Sequence, residues 1–125
     1  LVLFIFLAVH LPLFYGGWSF ARHAELVAFF FLLTVFWDFQ WFLQNPHFGW
    51  ARFRAGQIWW FPQWWGPFPA PYYFGLAASL VAWMAPAPVA LRAGQWALLV
   101  AEFALLTAFA TLFRSRKCVP PQDRV

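Results

Sequence analysis

Charge is scarce in this chain, at 10% of residues, against about 25% in an ordinary soluble domain. Cysteine occurs once, at Cys118, which excludes an internal disulfide, a Cys-based zinc site and a CxxC redox pair. The three histidines, His10, His23 and His47, include no pair at the three- or four-residue spacing that sets two metal ligands on one helix face. HExxH, a nucleophile elbow and a phosphate-binding loop are all missing. These gaps point away from catalysis by a known motif, so the expectation is a protein that is not an enzyme, and no nucleic-acid partner is expected. No basic n-region precedes the first apolar run, which therefore reads as a retained span and not as a secretory signal.

Apolar side chains fill the space that charge leaves. They make up 64% of the chain, with eighteen Phe and ten Trp among 125 residues. A soluble domain of this size would leave large apolar patches facing water. Four apolar runs stand out, at about residues 1–15, 24–43, 72–89 and 95–113, and a spanning helix needs about 20 residues. The expected fold is all-α: one integral membrane domain of about four transmembrane helices, with a Trp-rich interfacial loop at 44–71 and a cytoplasmic tail at 114–125. The third run reaches spanning length only by continuing through Pro86 to Val89.

The long connection holds Trp50, Trp59, Trp60, Trp64 and Trp65 together with Arg52 and Arg54. Indoles and snorkelling arginines suit the headgroup layer, so this loop reads as an interface or anchor segment. Residues 50–61 fit a short interfacial helix, weakened by Gly56 and ended by Pro62. With four spans, the loop and the tail share a side and carry Arg52, Arg54, Arg114, Arg116, Lys117 and Arg124, whereas the opposite side carries Arg22 and Arg92. That asymmetry places both termini in the cytoplasm. Cys118, beside Arg116 and Lys117, is a juxtamembrane position of the kind that is palmitoylated, although an idle reduced thiol is the commoner outcome.

Small residues recur at helical spacing in the last two runs: Gly75, Ala78, Ala82 and Ala85 in one, and Ala97, Ala101, Ala104, Ala108, Thr111 and Ser115 in the other. Such stripes let backbones approach closely in lipid, and they predict a tight hairpin of the third and fourth spans. Polar residues are few enough to weigh singly. Thr34, Asp38, Trp41 and Asn45 share a face of the second span, and Gln95 and Glu102 share a face of the fourth. A charged carboxylate at mid-helix costs about 2.5 to 3.5 kcal/mol on the insertion scale, so Glu102 is expected to be protonated, paired or facing a polar cavity. Arg52 and Arg54 are expected to fold back onto Asp38.

The stretch from Trp37 to Trp65, with its acidic and aromatic helix end, Asn45 and Pro46, an aromatic-Gly step and a Trp-rich basic loop, resembles small bacterial multi-span membrane proteins. That resemblance implies a bacterial cytoplasmic membrane and brings no activity with it. The first span, FLAVHLPLFYGGW, is similar to purple-bacterial light-harvesting polypeptides, in which a membrane His ligates a pigment and a Trp follows. The similarity implies a tetrapyrrole, bacteriochlorophyll or haem, on His10, with Phe6 standing where a small residue is usual. The Trp and Pro signature of the porphyrin-binding tryptophan-rich sensory proteins is not matched. The leading expectation is a noncatalytic accessory or scaffold subunit that docks on a larger membrane protein complex and requires no cofactor. A tetrapyrrole-binding subunit using His10 comes second, and a small transporter or proton conductor using Asp38 and Glu102 third.

Overall fold

The computed structural model describes residues 2–87 and 89–115. The expected tail from residue 116 onward, with Cys118, lies outside them. Five helices and one short hairpin follow in order: α1 (Val2–Gly16), α2 (Phe20–Gln44), α3 (Gly49–Arg52), β1 (Trp64–Trp65), β2 (Phe68–Pro69), α4 (Ala70–Met84) and α5 (Ala90–Ser115). The chain is mostly helical, and two helices, α2 and the stretch Ala90–Phe113 of α5, are long and apolar enough to cross a membrane.

Local chemistry sets the ends of these helices. Gly17, at φ +73, takes a backbone conformation that costs glycine little, and α1 stops there. The Arg22 guanidinium donates to the Gly16 and Gly17 carbonyls, which satisfies the acceptors left open at a helix C-terminus. Ser19 caps α2, its Oγ accepting from Arg22 N at 3.2 Å. At the other end Pro46 pushes Asn45 out of the helical region, to ψ 122, and the Asn45 Oδ1 accepts from His47 N at 2.9 Å to form a local turn. Asn45 therefore serves the turn and does not extend the polar face of Thr34 and Asp38.

Successive contacts give the topology. Asp38 meets Tyr72, Val35 meets Gly75, and Ala28 meets Ser79, so α2 and α4 run antiparallel. Phe6 meets Phe30 while His10 meets His23, so α1 is antiparallel to α2. Glu25 meets Arg92 and Phe36 meets Phe103, so α5 is parallel to α2. The connection at 17–19 and the turn at 85–86 thus lie at one end of the bundle, with the long loop at the other.

Three expectations change. The helix of the third apolar run ends at Met84 instead of continuing to Val89: Ala85 keeps helical dihedrals (φ −56, ψ −38), but Pro86 has no N–H to offer the Ala82 carbonyl, which accepts from Ala85 N at 3.3 Å instead. The resulting 15-residue helix is about 22 Å long at 1.5 Å per residue. The tight contact of α4 is with α2 and not with α5. A Cβ on Gly75 would lie 2.5 Å from Val35 Cγ2, and Ser79, fully buried, donates its hydroxyl to the Ala28 carbonyl at 2.8 Å. The α5 stripe of Ala97, Ala101, Ala104 and Ala108 is exposed, and the packed face of that helix carries Trp96, Phe103 and Thr107 instead. Finally, α3 covers only Gly49–Arg52 of the helix expected at 50–61, because Phe53 leaves the helical path to enter an aromatic cluster. Beyond it the loop closes a two-residue antiparallel ladder, Trp64 with Pro69 and Trp65 with Phe68, across Gly66 at φ +64.

The α2–α4 approach makes a direct test. Gly75→Ala is expected to lower stability by about 1 to 3 kcal/mol, the range for overpacking, since Val35 is β-branched and has little rotamer freedom on a helix. Adding Val35→Ala should recover part of the loss in reversible unfolding followed in mixed micelles. An unperturbed single variant would mean that the two helices are further apart than described.

Candidate functional site

The loop end of the α2–α4 pair is where side chains converge. Phe42, Phe53, Ile58 and Tyr72 are buried there, with Phe39, Phe48, Phe61, Trp64 and Phe68 packed around them. Rings meet mainly edge to face: Phe39 with Phe53 at 5.2 Å, Phe42 with Phe48 at 5.4 Å and Phe53 with Trp64 at 5.3 Å. This is the favourable arrangement for aromatic quadrupoles. The loop expected to lie along an interface is therefore a folded aromatic cap. Its indoles divide: Trp60 stacks on Phe42 at 5.8 Å, and Trp64 donates Nε1–H to the Phe61 carbonyl at 2.9 Å. Trp50, Trp59 and Trp65 face outward.

Asp38 lies at the edge of this cap. It is half-buried, and its Oδ2 accepts a 2.6 Å hydrogen bond from Tyr72 Oη. The expected pairing with the loop arginines does not form: Arg52 donates to the His47 carbonyl at 2.9 Å, and Arg54 donates to the Ala51 carbonyl. Each guanidinium closes a turn five or three residues back, where helix-end carbonyls are already in reach, so neither extends to α2. Asp38 borders two open-mouthed pockets. One, of about 360 Å³, is formed by Thr34, Trp37, Trp41, Phe42 and Trp60 around the carboxylate. The other, of about 610 Å³, lies between α2 and α4, where Tyr72, Phe61 and Gly75 share the lining with Asp38. A third pocket, of about 350 Å³ between α2, α4 and α5, is almost wholly apolar, with Phe36, Phe39, Tyr73 and Ala108 on its walls.

The remaining polar candidates are dispersed. Glu102 and Gln95 are both exposed on the outer face of α5, and no ion pair reaches Glu102 among the described residues. Among the described residues Glu102 has no ion-pair partner and borders none of the pockets described above, which leaves the protonated alternative. His10 donates Nδ1–H to the Phe6 carbonyl at 2.7 Å, and the Phe6 ring lies 4.1 Å from its own. Its Nε2 is buried without a hydrogen-bond partner, as is His23 Nδ1; the two rings are 5.2 Å apart. A macrocycle on Nε2 would require the side chains that bury that nitrogen to move. Among the described residues no group of three or more His, Cys, Asp or Glu side chains could hold a metal ion.

Two polar clusters were not legible in advance. Ser79 Oγ links Ala28 to Trp96, whose Nε1–H donates to it at 3.0 Å. Arg92 pairs with Glu25 at 3.1 Å, donates twice to the Trp83 carbonyl and lies over the Trp83 ring at 5.1 Å. The second cluster had a signal: Glu25 is the acid nearest in sequence to the weakly charged end of the bundle, where Arg92 also falls. Comparison with protein-family models, curated proteins and solved structures finds no match for the chain.

The division of the indoles generates a stability prediction. Phe42→Ala, which empties the centre of the cap, is expected to cost about 3 to 5 kcal/mol, whereas Trp59→Ala, 85% exposed, should change unfolding by no more than about 0.5 kcal/mol. Equal effects would show that the cap is not the packed unit described.

Proposed function

We propose that this chain is a small integral membrane protein, a noncatalytic accessory subunit that docks on a larger membrane protein complex through the outer face of α5. A membrane setting is supported by burial as well as by length. Only 6% of the apolar window of α5 is buried, whereas the core helix of a soluble protein would be mostly covered. Exposed Leu98, Leu105, Leu106, Phe109 and Phe113 are stable against lipid or against another apolar surface, and costly against water. The alternating helix directions support the reading of a chain that traverses four times, with α1 and α4 as the shorter passes.

The observation that carries the docking reading is the position of Glu102. It falls at the centre of α5, exposed among leucines, with Gln95 two turns away on the same side. Lipid tails offer neither group a hydrogen bond, and a carboxylate at that depth costs about 2.5 to 3.5 kcal/mol. A protein surface with a donor at the same depth removes the penalty, and polar side chains join membrane helices in this way. The helix face that reads as a lipid surface by its leucines is therefore a protein-facing one by its carboxylate.

Glu102→Leu is expected to leave the yield of the chain unchanged or higher while sharply reducing the partner recovered with it from native membranes in mild detergent. Undiminished recovery would assign the face to lipid. Orientation is tested separately: with Cys118→Ser as background, a cysteine probe at Ser19 should react with an impermeant reagent outside intact cells and one at Gln63 should not. Equal labelling at both positions would overturn the four-pass arrangement or its direction.

A further inference from the structure

We propose that the pocket beside Asp38 binds an organic cation, a substituted ammonium group carried on an apolar body. The inference is independent of docking through α5, since no residue of that helix lines the pocket. Its first ground is the state of the carboxylate. Oδ2 is engaged by Tyr72 Oη, and Asp38 has no other hydrogen-bond partner and no ion-pair partner among the described residues. The arginines with described side chains are committed elsewhere: Arg22 to Gly16 and Gly17, Arg52 to His47, Arg54 to Ala51, and Arg92 to Glu25 and Trp83. A phenol hydrogen bond leaves the charge of a carboxylate unbalanced, and in surroundings of low dielectric that charge attracts a cation strongly.

The second ground is what surrounds it. Trp37 and Trp41 come from the same helix as Asp38, Trp60 and Phe42 line the pocket from the cap, and Ile5 of α1 adds an aliphatic side. Aromatic faces attract cations, tryptophan most of all, and quaternary ammonium groups are the ligands that such walls suit. Other ligand classes use only part of the site. A divalent metal ion requires several oxygen ligands, and Asp38 and Thr34 are the only oxygen-bearing side chains on the lining. An anion is repelled by Asp38, and a neutral apolar molecule gains nothing from it. The pocket, about 360 Å³, falls within the roughly 300 to 1,000 Å³ of small-molecule sites.

Depth leaves two sources for the ammonium group. Asp38 precedes the end of α2 at Gln44 by six residues, or about 9 Å along the axis. A lipid headgroup can reach that depth, and so can a free amphiphilic amine.

The experiment uses the full chain in detergent micelles, with benzyltrimethylammonium as probe and the change in tryptophan fluorescence as readout, because three indoles border the pocket. Saturable binding is expected, weakened at least about fivefold by Asp38→Asn, on the order of 1 kcal/mol, and retained by Asp38→Glu. The net-neutral isostere N,N-dimethylbenzylamine N-oxide should bind at least about fivefold more weakly than the cation. Tyr72→Phe removes the phenol hydrogen bond but keeps the carboxylate, whereas Asp38→Asn removes the charge but keeps an oxygen that can accept from Tyr72; Tyr72→Phe should bind the cation at least as tightly as the unaltered chain. The proposal is overturned if cation and isostere bind alike, if Asp38→Asn has a smaller effect than stated, or if Tyr72→Phe loses binding to the same extent as Asp38→Asn. Displacement of the probe by dihexanoylphosphatidylcholine and not by dihexanoylphosphatidylglycerol would identify a headgroup as the source. Displacement by neither would identify a free organic cation.

Discussion

The close antiparallel contact of α2 with α4 is the constraint on which the rest of the fold depends. It is made possible by two small residues and one hydroxyl. Gly75 lets the α4 backbone settle against Val35, and Ser79 donates to Ala28 while accepting from Trp96. A buried hydroxyl without partners costs about 1 to 3 kcal/mol, so Ser79 stabilises the pairing only because both neighbours are in place. Through Trp96 it also ties α5 to the pair, which leaves α2 in contact with every other long helix.

One turn beyond Gly75, the same alignment brings Tyr72 to Asp38 and opens the space that the loop fills. Phe42 from α2 and Tyr72 from α4 form the floor of the cap, and Phe53 and Ile58 complete it from the loop. A connection rich in Pro, Gly and Trp thereby becomes packed structure, because edge-to-face rings supply cohesion that its short α3 and its two-residue strands cannot. The chemistry of Asp38 follows from this geometry: the residue lies at the rim of the cap, where aromatic walls are dense and cations are held elsewhere.

Much of this was legible in the residues. The two longest apolar runs became α2 and α5, the break at Asn45 and Pro46 formed as expected, and the Trp-rich segment marked where the aromatic cluster lies. Partner choice was less readable. The alanines of α5 gave a regular stripe, yet stripes at helical spacing say that a face can approach closely, not what it approaches, and here α4 is held by α2 on the other side. Arg52 and Arg54 were near Asp38 in sequence, but an arginine satisfies turn carbonyls at lower entropic cost than it spans a loop. Tyr72 lies 34 residues from Asp38, and only the register of two helices brings them together.

That separation also has a meaning in time. On a chain made from its N-terminus at about 5 to 20 residues per second, the phenol of Tyr72 follows the Asp38 carboxylate by roughly two to seven seconds. Through that interval the acid has not met the group that later holds it. Biogenesis must therefore carry an unsatisfied carboxylate close to the end of a completed apolar helix until the loop and the start of α4 have emerged. The order of synthesis thus makes the Asp38–Tyr72 hydrogen bond a late contact, formed only once α4 has begun.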